Sequence, residues 1–509
     1  MKGKNSGITR SMHLIERSVN RLPDPFFLFL GLAAIVVISS YLAAVFNISV
    51  INPANGQRIS AVNLLSKSGL LRMLSDMVKN FVEFPPFGLV LATVIGIGVA
   101  ERTGFFEAIL KHTLAKAPRG TITFLLICAG VNANIMGDAG LVIMPSLGAL
   151  LFASIGRHPL AGLCAGFAGV CGGFSANFFL STLDPLLSGF TDSAAKLIDK
   201  NYTVFPTANY YFMFVSTILI SIAGTLTNYY IIEPRLGEWK PDKNNKELPC
   251  GFGSSSERER RALILGFVSF FMIIGLILIA AVPTGGFLRG SDGSLLPFFK
   301  SLIPLILLIF LISGAVYGIA AGNIRNSKDL SKILIETMSS MGPYILLAFA
   351  AGQFVAYFNW SNLGIIIAVQ GSEFLKAIGL KGIPLIIAFY IFSSVMNIFI
   401  YSASAKWAVF SVVFVPMFML MGFSPETTQM AYRAGDSVTN MITPLLPYFP
   451  IVIVFAKKYL PDITLGRLIS ILIPYSIVFF VVWGIFLTIW IILGISPGPD
   501  APIYYLPKF

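Results

Sequence analysis

Five stretches without a single charged residue, at 26–46, 211–232, 263–282, 302–320 and 468–494, constrain this chain more than any other feature. At 1.5 Å of rise per residue, about twenty apolar residues cross a ~30 Å hydrocarbon core as one helix. Backbone groups in lipid must be satisfied internally, and runs of this length without alternation select helices over a barrel. The composition agrees: 56% of residues are hydrophobic and 12% charged, with a mean hydropathy of +0.80, which all but excludes a soluble fold. The expected class is an all-α polytopic membrane protein with about ten hydrophobic runs in contact with the lipid bilayer.

The net charge of +12 sits in connecting segments, so no nucleic-acid partner is expected. Lys2, Lys4, Arg10, Arg17 and Arg21 precede the first run, and residues 233–261 carry seven more basic residues. The positive-inside rule puts both segments, and with them the N-terminus, in the cytoplasm. Connections carrying Lys111, Lys116 and Arg119, and Arg325, Lys328 and Lys332, fit the same side, while 47–77 and 284–297 fit the outside. The run after Phe26 is too long for a signal peptide and lacks a small-residue cleavage site, so it is expected to stay as a helix. Cys128, Cys164, Cys171 and Cys250 lie singly and His13, His112 and His158 are scattered, so neither a disulfide framework nor a metal site is expected.

The chain divides into a polar segment at 1–24, a first membrane half at 25–232, a solvated linker at 233–261, a second half at 262–494 and a tail at 495–509. Each half contains a region in which Gly, Pro, Asn and Asp break the apolar runs, at 131–189 and at 396–450. Their order corresponds. Asn132 precedes Pro159 as Asn397 precedes Pro425, each proline following a turn-like GRH or GFS. Downstream, Ser175 and Asn177 followed by Thr182 and Pro185 resemble Ser437 and Asn440 followed by Thr443 and Pro444. Paired interruptions of this kind point to inverted repeats around a midplane site with discontinuous helices.

Charged groups inside the apolar regions are few: Asp138, Asp184, Lys406, Arg433 and Asp436. A charge at a helix centre costs ~2.5–3.5 kcal/mol on insertion scales, so these should face protein or a wet cavity. Arg433 and Asp436, spaced i, i+3, share a helix face and could neutralise each other. Asp184 has no partner nearby in sequence, and Lys406 could snorkel from a span end. Asp436 and Asn397, with amide and hydroxyl neighbours such as Ser404 and Asn440, supply the oxygen chemistry of a monovalent cation site. Arg433 offers a planar fork for a carboxylate, and Trp407 an aromatic face for a ring.

The strings GDAGLVIMPSLGALLF, GRHPLAGL, FSANFFLSTLDPLLSG, IIEPRLGEW, QFVAYFNWSN, SASAKWAVFSVVFVPMFMLMGFSP and YRAGDS resemble the p-aminobenzoyl-glutamate transporter family, often called AbgT, over nearly the whole chain. That resemblance implies an inverted-repeat secondary transporter of the bacterial inner membrane, a homodimer with about nine spanning helices and two re-entrant hairpins per subunit. The implied activity is ion-coupled movement of p-aminobenzoyl-glutamate, a folate catabolite, or alternatively export of sulfonamide antimetabolites driven by the proton-motive force. No cofactor is implied, and the coupling ion would be sodium or a proton. Carried over by motif, the residues implied to line the substrate path are Asp184, Ser404, Trp407, Pro425, Arg433 and Pro444, and those implied at the cation site are Asn397 and Asp436. An intramembrane aspartyl protease built on Asp138 and Asp436 would leave the paired breaks unexplained. A channel would lack saturable, gradient-coupled flux.

Overall fold

A computed structural model describes residues 25–51, 58–115, 118, 120–239, 256–443 and 445–506. Its first half runs α1 (Pro25–Val45), a short antiparallel hairpin of β1 (Ser49–Ile51) and β2 (Arg58–Ser60), α2 (Lys67–Ser75), α3 (Met77–Val82), α4 (Pro85–Arg102), α5 (Phe105–Ala115), α6 (Ile122–Asn132), α7 (Asp138–Ser154), α8 (Pro159–Gly172), α9 (Leu183–Ala195) and α10 (Tyr210–Thr227). The second half runs α11 (Glu257–Ala281), α12 (Leu302–Ala321), α13 (Ser327–Ser339), α14 (Gly342–Trp360), α15 (Leu363–Ala377), α16 (Ile383–Phe399), α17 (Ala403–Met419), α18 (Pro425–Val438), α19 (Phe449–Lys457) and α20 (Leu465–Ile492).

By length and composition, six helical stretches among the described residues can cross a membrane: Phe26–Val45, Pro85–Arg102, Tyr210–Leu236, Glu257–Ala281, Leu302–Ala321 and Leu465–Ile492. The pair α13–α14, bent by 42°, makes a seventh if it is one span. Five of the six carry the charge-free runs. The sixth, α4, ends in Glu101 and Arg102, which left its apolar part too short to stand out. On α11 the large apolar residues Leu265, Val268, Phe271, Met272 and Ile279 are exposed, while Gly266, Ser269 and Ala280 face inward. Apolar outside and small or polar inside is the pattern of a helix whose outer solvent is lipid.

The linker is shorter than its composition suggests. Glu233–Leu236 continues α10 through a π-helical turn (Asn228–Ile232), which is why Arg235 is helical. Glu257 to Arg261 form the first turns of α11, capped by the Ser256 hydroxyl, which accepts from the Glu259 N–H. Ser and Glu in that order are a helix start as well as a polar linker.

Two helices form the interior: all fourteen residues of α8 and all fourteen of α18 are buried. Each opens with proline at its first position, where no backbone donor is lost. The preceding His158 and Ser424 side chains accept from Leu160 N–H and Thr427 N–H at 3.2 and 3.0 Å. The GRH and GFS turns are therefore helix starts. They lie at opposite ends of α10. Arg157 pairs with Glu233 at the C-terminal end. At the other end Phe212 N–H bonds Pro497 O, and the same tail meets the GFS turn through Ser424 N–H to Ile503 O and Tyr505 N–H to Gly422 O, each at 3.0 Å.

Glycine sets the spacing in the first half. A Cβ on Gly148 would strike the carbonyl of Gly162, and one on Gly162 would strike the carbonyl of Gly148, so α7 and α8 meet backbone to backbone. Gly162→Ala is therefore expected to lower the melting temperature in detergent, by overpacking worth ~1–3 kcal/mol. Gly31→Ala on α1, where a Cβ meets nothing within 4 Å, is expected to leave it unchanged or raise it slightly.

Candidate functional site

Four breaks converge in the interior: 133–137 between α6 and α7, 173–182 between α8 and α9, 400–402 between α16 and α17, and 439–448 between α18 and α19. The first closes as a 3-10 turn (Ala133–Met136) ending at Gly137, whose φ of 54° suits only glycine. A cavity of about 300 Å³ opens among them, with Asn134, Ser181, Thr182, Ser402, Ser404 and Asn440 as its polar wall. That volume falls at the lower end of small-molecule sites. A second cavity of about 280 Å³, between α5, α11 and α12, is lined almost wholly by apolar side chains and lies apart from the charged groups.

Directly behind the polar wall lie two ion pairs. Arg433 Nη1 on α18 donates to Asp184 Oδ1 at 2.6 Å, and the two side chains are at most 2% exposed. Asp184 Oδ2 accepts from the backbone and hydroxyl of Ser181 at 2.6 and 3.0 Å. The carboxylate sits in the first turn of α9, where the helix dipole favours it. One turn along α18, Asp436 Oδ1 pairs with the ammonium of Lys406, which also donates to Asn397 Oδ1. The Asn397 amide lies 2.6 Å from Asp436 O, 3.0 Å from Thr439 Oγ1 and 2.8 Å from Asn440 Oδ1.

Sequence reasoning about these charges needs two corrections. Arg433 and Asp436 do not neutralise each other: each takes a partner from another helix. Lys406 does not snorkel, being 1% exposed and fixed by two oxygens. Asp184 has no partner nearby in sequence, as expected; its partner Arg433 lies 249 residues away. The cause is common. α18 is surrounded on every side, so side chains three residues apart reach different neighbours, and the spacing rule for isolated helix surfaces does not govern them.

The structure brings Asp184, Asn397, Trp407, Arg433 and Asp436 into this one buried network and places Ser404 on the cavity wall. Pro425 starts α18 about 12 Å along the axis from Arg433, and Pro444 lies outside the described residues. Trp407 is fully buried. Its ring stacks on Tyr432 at 4.4 Å and 24°, and Nε1 donates to Thr191 Oγ1 at 2.9 Å and Leu187 O at 3.2 Å. The face expected to receive a ligand ring is thus held by Tyr432 in this conformation. Tyr432, Ser181 and Thr191 were not singled out from the sequence. Tyr432 directly precedes Arg433, but nothing in the sequence marks it as the neighbour of Asp436, whose Oδ1 lies 3.2 Å from its hydroxyl.

Several buried polar atoms make no hydrogen bond: Arg433 Nε and Nη2, Asp436 Oδ2, and both side-chain atoms of Asn177. Each such atom costs about 1–3 kcal/mol of desolvation, which marks the network as built for something beyond its own closure. A metal cation is a poor fit in this conformation. The Asn397 and Asp436 oxygens that would hold it face the Lys406 ammonium, and among the described residues no cluster of three or more His, Cys, Asp or Glu could hold one.

Removing one partner of the outer pair leaves a buried charge. Asp184→Leu or Arg433→Met alone is expected to destabilise the protein by ~3–5 kcal/mol. The double variant should recover part of this, giving a coupling of about 1–3 kcal/mol in thermal unfolding. The cycle of Arg433→Met with Asp436→Leu is expected to give the smaller coupling, because those two charges do not pair.

The sequence model described as the AbgT putative transporter family matches residues 10–505. The p-aminobenzoyl-glutamate transport protein of Escherichia coli (strain K12) is 38% identical over 488 residues, covering 95% of each chain. Among solved structures, the YdaH transporter of Alcanivorax borkumensis superposes with a TM-score of 0.88 at 36% identity, covering 94% of this chain and 100% of its own. MtrF of Neisseria gonorrhoeae, from a class of antimetabolite efflux pumps, superposes with a TM-score of 0.91 at 40% identity, covering 96% and 100%. With the fold, the paired breaks and the sequence in agreement along nearly its whole length, the chain belongs to the AbgT family of transporters.

Proposed function

We propose that this protein is an ion-coupled secondary transporter that carries p-aminobenzoyl-glutamate across the bacterial inner membrane. The observation that carries the reading is Arg433: a buried guanidinium that spends one nitrogen on Asp184 and keeps Nε and Nη2 without acceptors, one residue behind a cavity between four helix breaks. A planar two-donor edge suits a carboxylate. The substrate has two carboxylates and an aromatic ring; Phe174, Tyr344 and Tyr401 line the cavity, and Trp407 stacks on Tyr432 beyond its lining. The likeness to the E. coli transport protein supports the same substrate.

In this reading α6–α7 and α16–α17 are the two re-entrant hairpins, and α8–α9 and α18–α19 the discontinuous spans beside them. The placing of the GRH and GFS turns at opposite ends of α10 supports the inversion. In the same reading the N-terminus and the 233–261 linker lie in the cytoplasm, and the unit is a homodimer. A second reading, export of sulfonamide antimetabolites, is favoured by the likeness to MtrF. Both readings use one site, because sulfonamides share the aniline ring and lack the glutamate.

Radiolabelled flux into proteoliposomes, with sodium and proton gradients imposed separately, tests the proposal. Saturable p-aminobenzoyl-glutamate flux that follows one gradient and is lost in Asp436→Asn is the expected result. No flux from folded wild-type protein under any gradient removes this substrate. Arg433→Ala is expected to reduce p-aminobenzoyl-glutamate flux at least tenfold more than sulfonamide flux; equal losses would contradict carboxylate reading by Arg433.

A further inference from the structure

We propose that Lys406 is a built-in cation: its ammonium fills the alkali-cation position formed by Asn397 and Asp436, so that sodium binding there and the Lys406–Asp436 pair exclude each other. The proposal rests on the reading above only in taking those two residues as the cation site.

The geometry supplies the first argument. Two of the three side-chain oxygens that a sodium ion would use, Asn397 Oδ1 and Asp436 Oδ1, are bound to the same Lys406 nitrogen, and the third, Asp436 Oδ2, belongs to the carboxylate that the ammonium already neutralises. The ammonium is at most 1% exposed, so no water-filled gap separates it from them. A second positive charge brought to the same oxygens would meet it at contact distance in a medium that screens weakly. Lys406 also stands in the first turn of α17, the positive end of that helix dipole. Among the described residues, the carboxylate of Asp436 and the amide oxygen of Asn397 offset this placement.

The chain's own internal comparison supplies the second. α7 and α17 are each seventeen residues long, and α8 and α18 each fourteen. Counting from their starts, Lys406 corresponds to Leu141 and Asp436 to Val170, and both of these are buried apolar residues. Cation and carboxylate are thus replaced together in the other half, as one neutral unit. A helix pair of the same lengths is therefore built in this chain without a buried cation and carboxylate at these positions. A tethered cation opposite its carboxylate is instead the arrangement that holds a cation site shut to outside ions.

Sodium binding to purified full-length protein in detergent tests this, read as the sodium-dependent shift in melting temperature against choline chloride and as ²²Na retention. Neither readout depends on the transported substrate, so failure of the substrate assignment would leave this result intact. Lys406→Met is expected to bind sodium at least tenfold more tightly than wild type, with a saturable rise in melting temperature. Lys406→Arg, which keeps the charge, is expected to gain nothing, and Lys406→Met with Asp436→Leu to lose the gain. Lys406→Gln serves where the methionine variant does not fold. The proposal is overturned if wild type and the folded neutral variants bind sodium equally, if removing Lys406 weakens binding, or if no folded neutral variant binds sodium at all.

Discussion

The two ion pairs on α18 are the contacts on which the interior depends. A helix buried on all sides has no outward face to which a charge can escape, and α18 carries Arg433 and Asp436 one turn apart. Each is neutralised by a different neighbour, α9 through Asp184 and α17 through Lys406. The Arg433–Asp184 pair ties together elements that the chain supplies 249 residues apart, at the point where four helix breaks leave backbone groups and polar side chains around a cavity. Van der Waals packing would hold α18 in place, but it would not fix which helix faces which residue with comparable selectivity.

Buried ion pairs are seldom the most stable solution, since well-packed apolar residues of similar volume are often as good or better. This chain contains that comparison within itself. At the positions of Lys406, Arg433 and Asp436, the corresponding helices of the first half carry Leu141, Phe167 and Val170, all buried. Helices of the same lengths therefore occur in this chain in an apolar and a charged version. The unpartnered edge of Arg433 and the free Oδ2 of Asp436 show that the charged one is not closed on itself.

Most of the architecture was legible because membrane insertion imposes strong local rules. Uninterrupted apolar runs gave five of the six long apolar helices, and paired prolines after GRH and GFS located the two wholly buried helices. α4 escaped because two charges at its end shorten its apolar part. The charged residues of the site were also legible, being rare enough in apolar segments to stand out. Their pairing was not. Spacing along one helix suggested Arg433 with Asp436, whereas the direction of each side chain is set by what packs against that side of α18, which no local pattern encodes. The same limit hid Tyr432, a tyrosine among many until Trp407 is seen stacked on it and Asp436 beside its hydroxyl.

The two halves also differ in how their helices adhere, and the difference bears on motion. In the first half, α6, α7 and α8 touch at Gly130, Gly148, Gly162 and Gly166, where backbone lies directly against backbone. Such contacts are worth something only at closest approach, and a small separation forfeits them. In the second half, α16, α17 and α18 are joined through Asn397, Lys406, Tyr432 and Asp436, by hydrogen bonds and charges. Those groups can exchange one partner for another of the same chemistry without losing the full interaction. A ligand carboxylate can take up donors of Arg433, and a cation can take up oxygens of Asp436. An alternating carrier needs one arrangement that holds its shape and one whose contacts can be traded. In this chain glycine packing dominates in the first half, while in the second a polar, charged network is added to the close glycine contact of Gly435 with Tyr390 O.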